Sequence, residues 1–175
     1  MSLHVIETER LLLRQVDPAE DAAFFAVLLN TPGFLKYVGD RNVRTKEEAF
    51  DYLNSRVALR SGHPAAGAYT VILKENNLSI GNCGLFVRPN IEFPDIGFSF
   101  LPDNEGKGYA YESCVALLNH AIKTHHLSRV MGITVSYNER SIRLLEKLGL
   151  KFERTFFMEG DPEELCLYGM EMKNE

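Results

Sequence analysis

The chain has 175 residues, 45% hydrophobic and 25% charged, a composition that fits a single globular domain spanning 1–175 with a real core. No apolar run approaches the roughly 20 residues of a membrane helix, and Met1 to Arg10 lacks the apolar stretch of a secretory signal, so no membrane role is expected. Acidic residues outnumber basic ones by 24 to 19, for a net charge of −5, which disfavours direct nucleic-acid binding and suits a cationic partner such as an amine.

The three cysteines, Cys83, Cys114 and Cys166, are odd in number and stand at no metal or redox spacing. The expectation is a reducing cytoplasm and no bound metal. His120, His125 and His126 also form no metal pattern.

Arg10 to Val16 reads as an opening strand. Asp17-Pro18 supplies a helix cap followed by proline at the first helical position, predicting a helix to about Leu29 with Ala22, Phe25, Ala26 and Leu29 on its buried stripe. Asn30-Thr31-Pro32-Gly33 should stop it. Thr45-Lys46-Glu47-Glu48 matches a capping box, so a second helix should carry Ala49, Leu53 and Val57 inward and end at Gly62. Ala68 to Lys74 and Ser79 to Val87 form a predicted hairpin around Glu75-Asn76-Asn77. A further strand is expected from Asp95 to Leu101. The second half reads as a helix from Tyr109 to about Lys123, a strand from Arg129 to Val135, a helix from Glu139 to Leu148 and two strands, Leu150 to Met158 and Leu165 to Lys173. Together these imply an α/β domain, with helices layered on a mixed, mostly antiparallel sheet.

The chemistry-bearing stretch is Asp95 to Glu112, DIGFSFLPDNEGKGYAYE. A strand ends at Pro102, and Gly106-Lys107-Gly108 opens directly into a helix. N–H groups at a helix start lack intrahelical partners and, with the dipole behind them, make an anion site suited to a pyrophosphate. A plain strand-to-helix turn reads the same way. The nucleotide motifs do not fit: glycine stands where a P-loop has Ser or Thr, and Tyr111 stands where a dinucleotide fingerprint has its third glycine.

This segment resembles motif A of the GNAT acetyltransferase superfamily. Thr8-Glu9-Arg10-Leu11-Leu12-Leu13-Arg14 resembles the opening strand of the branch containing the ribosomal-protein N-terminal (RimJ/RimL-type) acetyltransferases. Asn138-Glu139-Arg140-Ser141, followed by Glu146-Lys147-Leu148-Gly149-Leu150, resembles that branch's second cofactor element. The resemblance implies a sheet whose two central strands splay apart and admit the pantetheine arm of acetyl-CoA. It implies main-chain contacts from Phe98, Ser99 and Phe100, a pyrophosphate wrap from Glu105, Gly106, Lys107, Gly108, Tyr109 and Ala110, and a pantetheine contact from Asn138. Two positions depart from the family. Glu105 stands where relatives often have Gln or Arg, which leaves its backbone N–H as its expected contribution. Leu145 stands where many carry a tyrosine general acid.

Transfer to an amine needs its neutral form, at a cost near pH 7 of about 4.6 kcal/mol for a lysine-like amine and only about 1 kcal/mol for an α-amine. Asp95, at the expected start of the central strand, is the candidate base, with a solvated carboxylate as the equal alternative. Glu92 is a weaker candidate. Ser141 is the candidate donor to the leaving thiolate, against the alternative of a hydroxyl bonded back to its own helix. The aromatic residues Phe34, Tyr37 and Tyr52 either line an acceptor pocket or pack in the core. The expected function is N-acetyl transfer to a protein N-terminus or a small-molecule amine, with a non-catalytic coenzyme A binding domain as the rival. A homodimer is left open.

Overall fold

The computed structural model describes the backbone of residues 5–58 and 63–173 and, among these, every side chain except 56–58. Gly62, expected to cap the second helix, lies outside the described residues, as does the Val57 side chain.

The first half follows its sequence signals closely. Strand β1, Val5–Glu7, pairs with β2, Leu11–Gln15. Helix α1, Pro18–Leu28, starts where the Asp17 carboxylate accepts the Ala19 N–H at 2.9 Å. The expected stop after it is also a start: the Thr31 hydroxyl accepts the Phe34 N–H, and Pro32 takes the first position of a short helix α2, Pro32–Tyr37. Helix α3, Lys46–Ala58, opens with the predicted capping box, Glu48 N–H to Thr45 Oγ1 and Thr45 N–H to Glu48 Oε2.

Strands β3, Gly67–Leu73, and β4, Leu78–Arg88, form the expected hairpin, with Asn77 left-handed at φ +60°. Strand β5 is longer than expected, Ile91–Phe100, so Asp95 lies within it and not at its start. The added residues include Pro94, which has no N–H to give a ladder. The β4–β5 register shifts between Phe86 and Arg88, next to this proline, and such an irregularity tolerates a missing donor. A 3₁₀ turn at Pro102–Asn104 then leads to α4, Tyr109–His125; β6 is Arg129–Thr134, α5 is Glu139–Leu148, β7 is Lys151–Phe157 and β8 is Glu164–Glu171.

The eight strands form one sheet in the order β1-β2-β3-β4-β5-β6-β8-β7. Every neighbouring pair is antiparallel except β5 and β6, which run parallel and share a single register pair, Asp95 with Met131. Residues 96–100 and 132–134 continue beyond it without pairing to each other. The central strands are therefore splayed, as the resemblance implied.

Alternation along the strands assigns the two faces. Leu11, Leu13, Val71, Cys83, Leu85, Ile96 and Val130 meet Cys114, Leu117 and Leu118 of α4 and Leu145 of α5 on one face. The opposite face packs under α1 and α3 through Val16, Ala22, Phe25, Ala49, Leu53 and Ala68. Asp21 on α1 is buried and forks onto Arg14 of β2 at 2.6 and 3.1 Å, which fixes that helix to the sheet.

A second polar brace fixes α4. The Glu112 carboxylate accepts the Thr8 hydroxyl at 2.7 Å, the Arg10 N–H at 2.9 Å and Arg10 Nε at 2.7 Å, and Arg10 Nη1 donates to the Lys107 carbonyl at 3.0 Å. The Arg10 guanidinium also lies 4.5 Å over the Tyr109 ring. The β1–β2 turn thus holds both the glycine loop and the first turn of α4. Burial pushes the Glu112 carboxyl up, but the Thr8 and Arg10 donors outweigh it and hold it below the usual range. A depressed carboxyl contributes stability that is present above its unfolded pKa and lost as pH falls through the folded value. Glu112→Gln should cost about 1–2 kcal/mol at pH 7, the charged hydrogen bonds being discounted for the exposure of Arg10. Urea titrations of both proteins at about pH 7 and about pH 3, the latter below the ordinary carboxyl value, should show a smaller deficit at the lower pH. An equal deficit at both pH values would show that the carboxylate's charge is not what braces α4.

Candidate active site

Leu101 N–H donates to the Ile80 carbonyl at 2.9 Å, which sets the direction of the peptides from Asp95 to Phe100, where the register with β4 is regular. Successive N–H groups of a strand alternate sides, so Asp95, Gly97 and Ser99 turn their peptides to β4, while Phe98 and Phe100 turn theirs into the gap beside β6. This corrects one sequence expectation. Ser99 was expected to offer main-chain contacts, but its peptide groups face Asn82 of β4.

At the end of β5 the loop is built for close approach. Gly106 and Gly108 are left-handed, at φ +73° and +81°, a conformation that favours glycine. A Cβ at Gly106 would meet nothing within 4 Å, whereas one at Gly108 would come within 3.3 Å of Arg10 Nη2. Gly108 is the N-cap of α4 and provides no side-chain hydrogen bond. The N–H groups of Tyr109, Ala110 and Tyr111 have no intrahelical acceptor and face the loop. Lys107 is exposed, with its carbonyl taken by Arg10. Glu105 departs from expectation: its N–H donates to the Pro102 carbonyl, closing the 3₁₀ turn, and its carboxylate pairs with Arg140 of α5.

Across the gap, β6 runs into α5. Asn138 caps that helix, its Oδ1 accepting the Ser141 N–H at 3.2 Å, and its Nδ2 makes no hydrogen bond among the described residues. The Ser141 hydroxyl, half-buried in the first turn, makes none either, so the back-bond of an idle helix serine is not formed. Leu145, at the position where many relatives place a tyrosine, is fully buried; a Cβ on Gly132 of β6 would come within 2.6 Å of it. That position belongs to the core.

Asp95 is only 2% exposed, which overturns the solvated alternative. Its Oδ1 accepts Arg88 Nε at 2.8 Å, and it stands at the last register pair before the strands part. Glu92 is exposed. Phe34 and Tyr52 pack against the core under α1 and α3, while Tyr37 of α2 lies 5.9 Å from the Tyr137 ring, beyond the end of β6. The Tyr137 hydroxyl donates to Glu163 at 2.5 Å, which pushes the phenol's pKa up. Neither this contact nor the Arg10–Glu112 brace has a local sequence signal, because each joins segments far apart in the chain.

No thiol is available as a nucleophile. Burial pushes Cys83 up to about 12 and Cys114 well above its ordinary value, and Cys166 is raised as well, first by burial and then by Glu164. Among the described residues no three His, Cys, Asp or Glu side chains form a group able to hold a metal ion, and no helix is long and apolar enough to cross a membrane.

Residues 10–151 match the family described as acetyltransferase (GNAT) domain. YoaA, an uncharacterised N-acetyltransferase of Bacillus subtilis, is 25% identical over 171 residues, covering 95% of this chain and 96% of its own. The [ribosomal protein uS5]-alanine N-acetyltransferase of Escherichia coli is 29% identical over 76 residues, 43% of this chain and 39% of its own. The solved acetyltransferase from Salmonella typhimurium, which modifies the N-terminal serine of ribosomal protein L7/L12, shares the fold with a TM-score of 0.80 at 17% identity, covering 97% of this chain and all of its own. The chain belongs to the GNAT family and is an acetyl-transferring enzyme, an N-acetyltransferase.

Proposed function

We propose that this enzyme transfers acetyl from acetyl-CoA to the N-terminal α-amine of a protein in the cytoplasm. The observation that carries the cofactor half is the split between β5 and β6, flanked by the uncapped glycine-loop start of α4. The residues fit the group: Phe98 and Phe100 offer strand-edge N–H groups to an amide-bearing arm, and Gly106, where a Cβ would meet nothing within 4 Å, lies in the loop that leads into the unpartnered N–H groups of Tyr109 and Ala110. Gly108 shapes that helix start, Lys107 adds charge, and Asn138 Nδ2 is available to the arm. The N-terminal acceptor is supported by what the uS5 and L7/L12 enzymes act on.

Bound acetyl-CoA supplies a thioester carbonyl; the amine nitrogen bonds to its carbon, the C–S bond breaks, the amine gives up a proton and the thiolate takes one. With every cysteine protonated and buried, the acetyl group passes directly to the amine. Of the gap-facing N–H groups of β5, that of Phe98, nearer the apex, donates to the developing oxyanion as the acetyl end of the arm reaches it. Ser141, whose hydroxyl is uncommitted, donates to the departing sulfur. An α-amine loses its proton cheaply, so a strong base adds little. Asp95 and Arg88 then hold the apex of the split, where an unpaired buried charge would open the strands.

Acetyl-CoA should raise the Tm more than ATP or NAD at equal concentration, and Gly106→Val should abolish most of that shift while the protein stays folded. Equal stabilisation by ATP would remove the cofactor assignment. Gly106 is a cleaner probe than Gly108, where any side chain would also press on Arg10.

Ser141→Ala should lower kcat by about 10- to 100-fold, the low end of acid catalysis because a thiolate leaves readily, with acetyl-CoA affinity unchanged. Loss of affinity with kcat intact would make Ser141 a cofactor contact and not an acid.

Thiol release should be fast with peptides bearing a free N-terminus and slow with N-blocked lysine peptides or small amines. With the peptide acceptor, Asp95→Asn should keep the wild-type pH profile and lose about 2 kcal/mol of stability, less than for a fully buried pair because Arg88 is one-third exposed. An alkaline shift of that profile would reinstate Asp95 as the base.

A further inference from the structure

One ion pair crosses the mouth of the split. Arg140 Nη1, in the first turn of α5, meets the Glu105 carboxylate, which directly precedes Gly106. The two helix starts that flank the gap are thus joined by side chains that are 70% and 39% exposed, a bond that is easily exchanged.

The charges around this mouth are otherwise ill-suited to a polyanion. Asp103 and Glu105 stand in the loop itself, and Glu139 opens α5. Among the cations, Arg10 is fixed by Glu112 and the Lys107 carbonyl, Lys107 is exposed, and Lys147 Nζ lies 4.1 Å over the Tyr111 ring. Arg140 is held by a single exposed carboxylate. A guanidinium that satisfies a carboxylate satisfies a phosphate by the same donor geometry, with the larger charge favouring the phosphate.

We propose that Arg140 is a phosphate ligand of the cofactor, held at the mouth by Glu105 in the free enzyme and transferred from that carboxylate to a phosphate when coenzyme A binds. Glu105 thereby lowers affinity for the cofactor while keeping its ligand in place. This rests on the acetyl-CoA reading above and assigns Arg140 a role that neither the glycine loop nor the Asn138 cap performs.

Isothermal titration of the whole chain with acetyl-CoA and with dephospho-coenzyme A, which lacks the 3′-phosphate, separates the possibilities. Arg140→Ala should weaken acetyl-CoA binding about tenfold, the loss of one charged hydrogen-bonding partner, and Glu105→Gln should tighten it about threefold. Arg140→Lys should fall between Arg140→Ala and the wild type. The apo Tm of each variant should stay near wild type, since both groups lie at the surface. A penalty for Arg140→Ala that persists with dephospho-coenzyme A assigns the contact to the pyrophosphate, and one that disappears assigns it to the 3′-phosphate. Unchanged affinity in Arg140→Ala, or weaker binding in Glu105→Gln, would overturn the proposal while the wild type binds normally. Failure of the wild type to bind acetyl-CoA would overturn the cofactor reading and this inference with it.

Discussion

Two neighbouring parallel strands that pair at one position and then part impose a cost that the rest of the structure is arranged to offset. Backbone N–H and C=O groups left unpaired at the centre of a sheet lose hydrogen bonds that the other neighbouring strand pairs keep. Here the loss falls on Phe98 and Phe100, beyond the Asp95–Met131 pair. The apex is held by the buried Asp95 with Arg88, and each side of the gap is backed by its own helix, α4 behind β5 and α5 behind β6. A split of this kind is tolerable because both strands remain paired on their outer sides, β5 with β4 and β6 with β8. The donors it exposes are the ones an extended amide-bearing ligand can satisfy.

The two helix starts complete the arrangement by different means. At α5 the cap is internal, with Asn138 satisfying the Ser141 N–H, and the helix needs no ligand for that donor. At α4 the N-cap is Gly108, which has no side chain to give, and the first-turn donors stay open. Rigidity there comes from outside the helix, through Glu112 and Arg10. A loop fixed by its neighbours, with its own N–H groups free, pre-organises an anion site without filling it.

Much of this was legible in the sequence because it is local. Asp17-Pro18, the Thr45 capping box, the Asn77 turn and Gly149 after α5 mark element ends through short-range chemistry, and the structure puts the elements there. The glycine loop was visible for the same reason. What escaped depends on residues distant in the chain. The strand start at Ile91 depends on a register irregularity beside β4 that accommodates Pro94. The burial of Asp95, the pairing of Glu105 with Arg140 and the placement of β8 between β6 and β7 all follow from tertiary packing. Which of Phe98, Ser99 and Phe100 faces the gap is a matter of alternation, fixed by the Leu101 bond to Ile80 and not by the local sequence.

Amide hydrogen exchange, read residue by residue by NMR, tests most directly whether the gap-facing peptides of β5 hold the arm of the cofactor. With saturating acetyl-CoA, exchange at Phe98 and Phe100 should slow by at least about tenfold, while Gly97 and Ser99, already bonded to β4, should change little. Bound acetyl-CoA with Phe98 and Phe100 exchanging as fast as in the free protein would contradict the placement of the arm in the split.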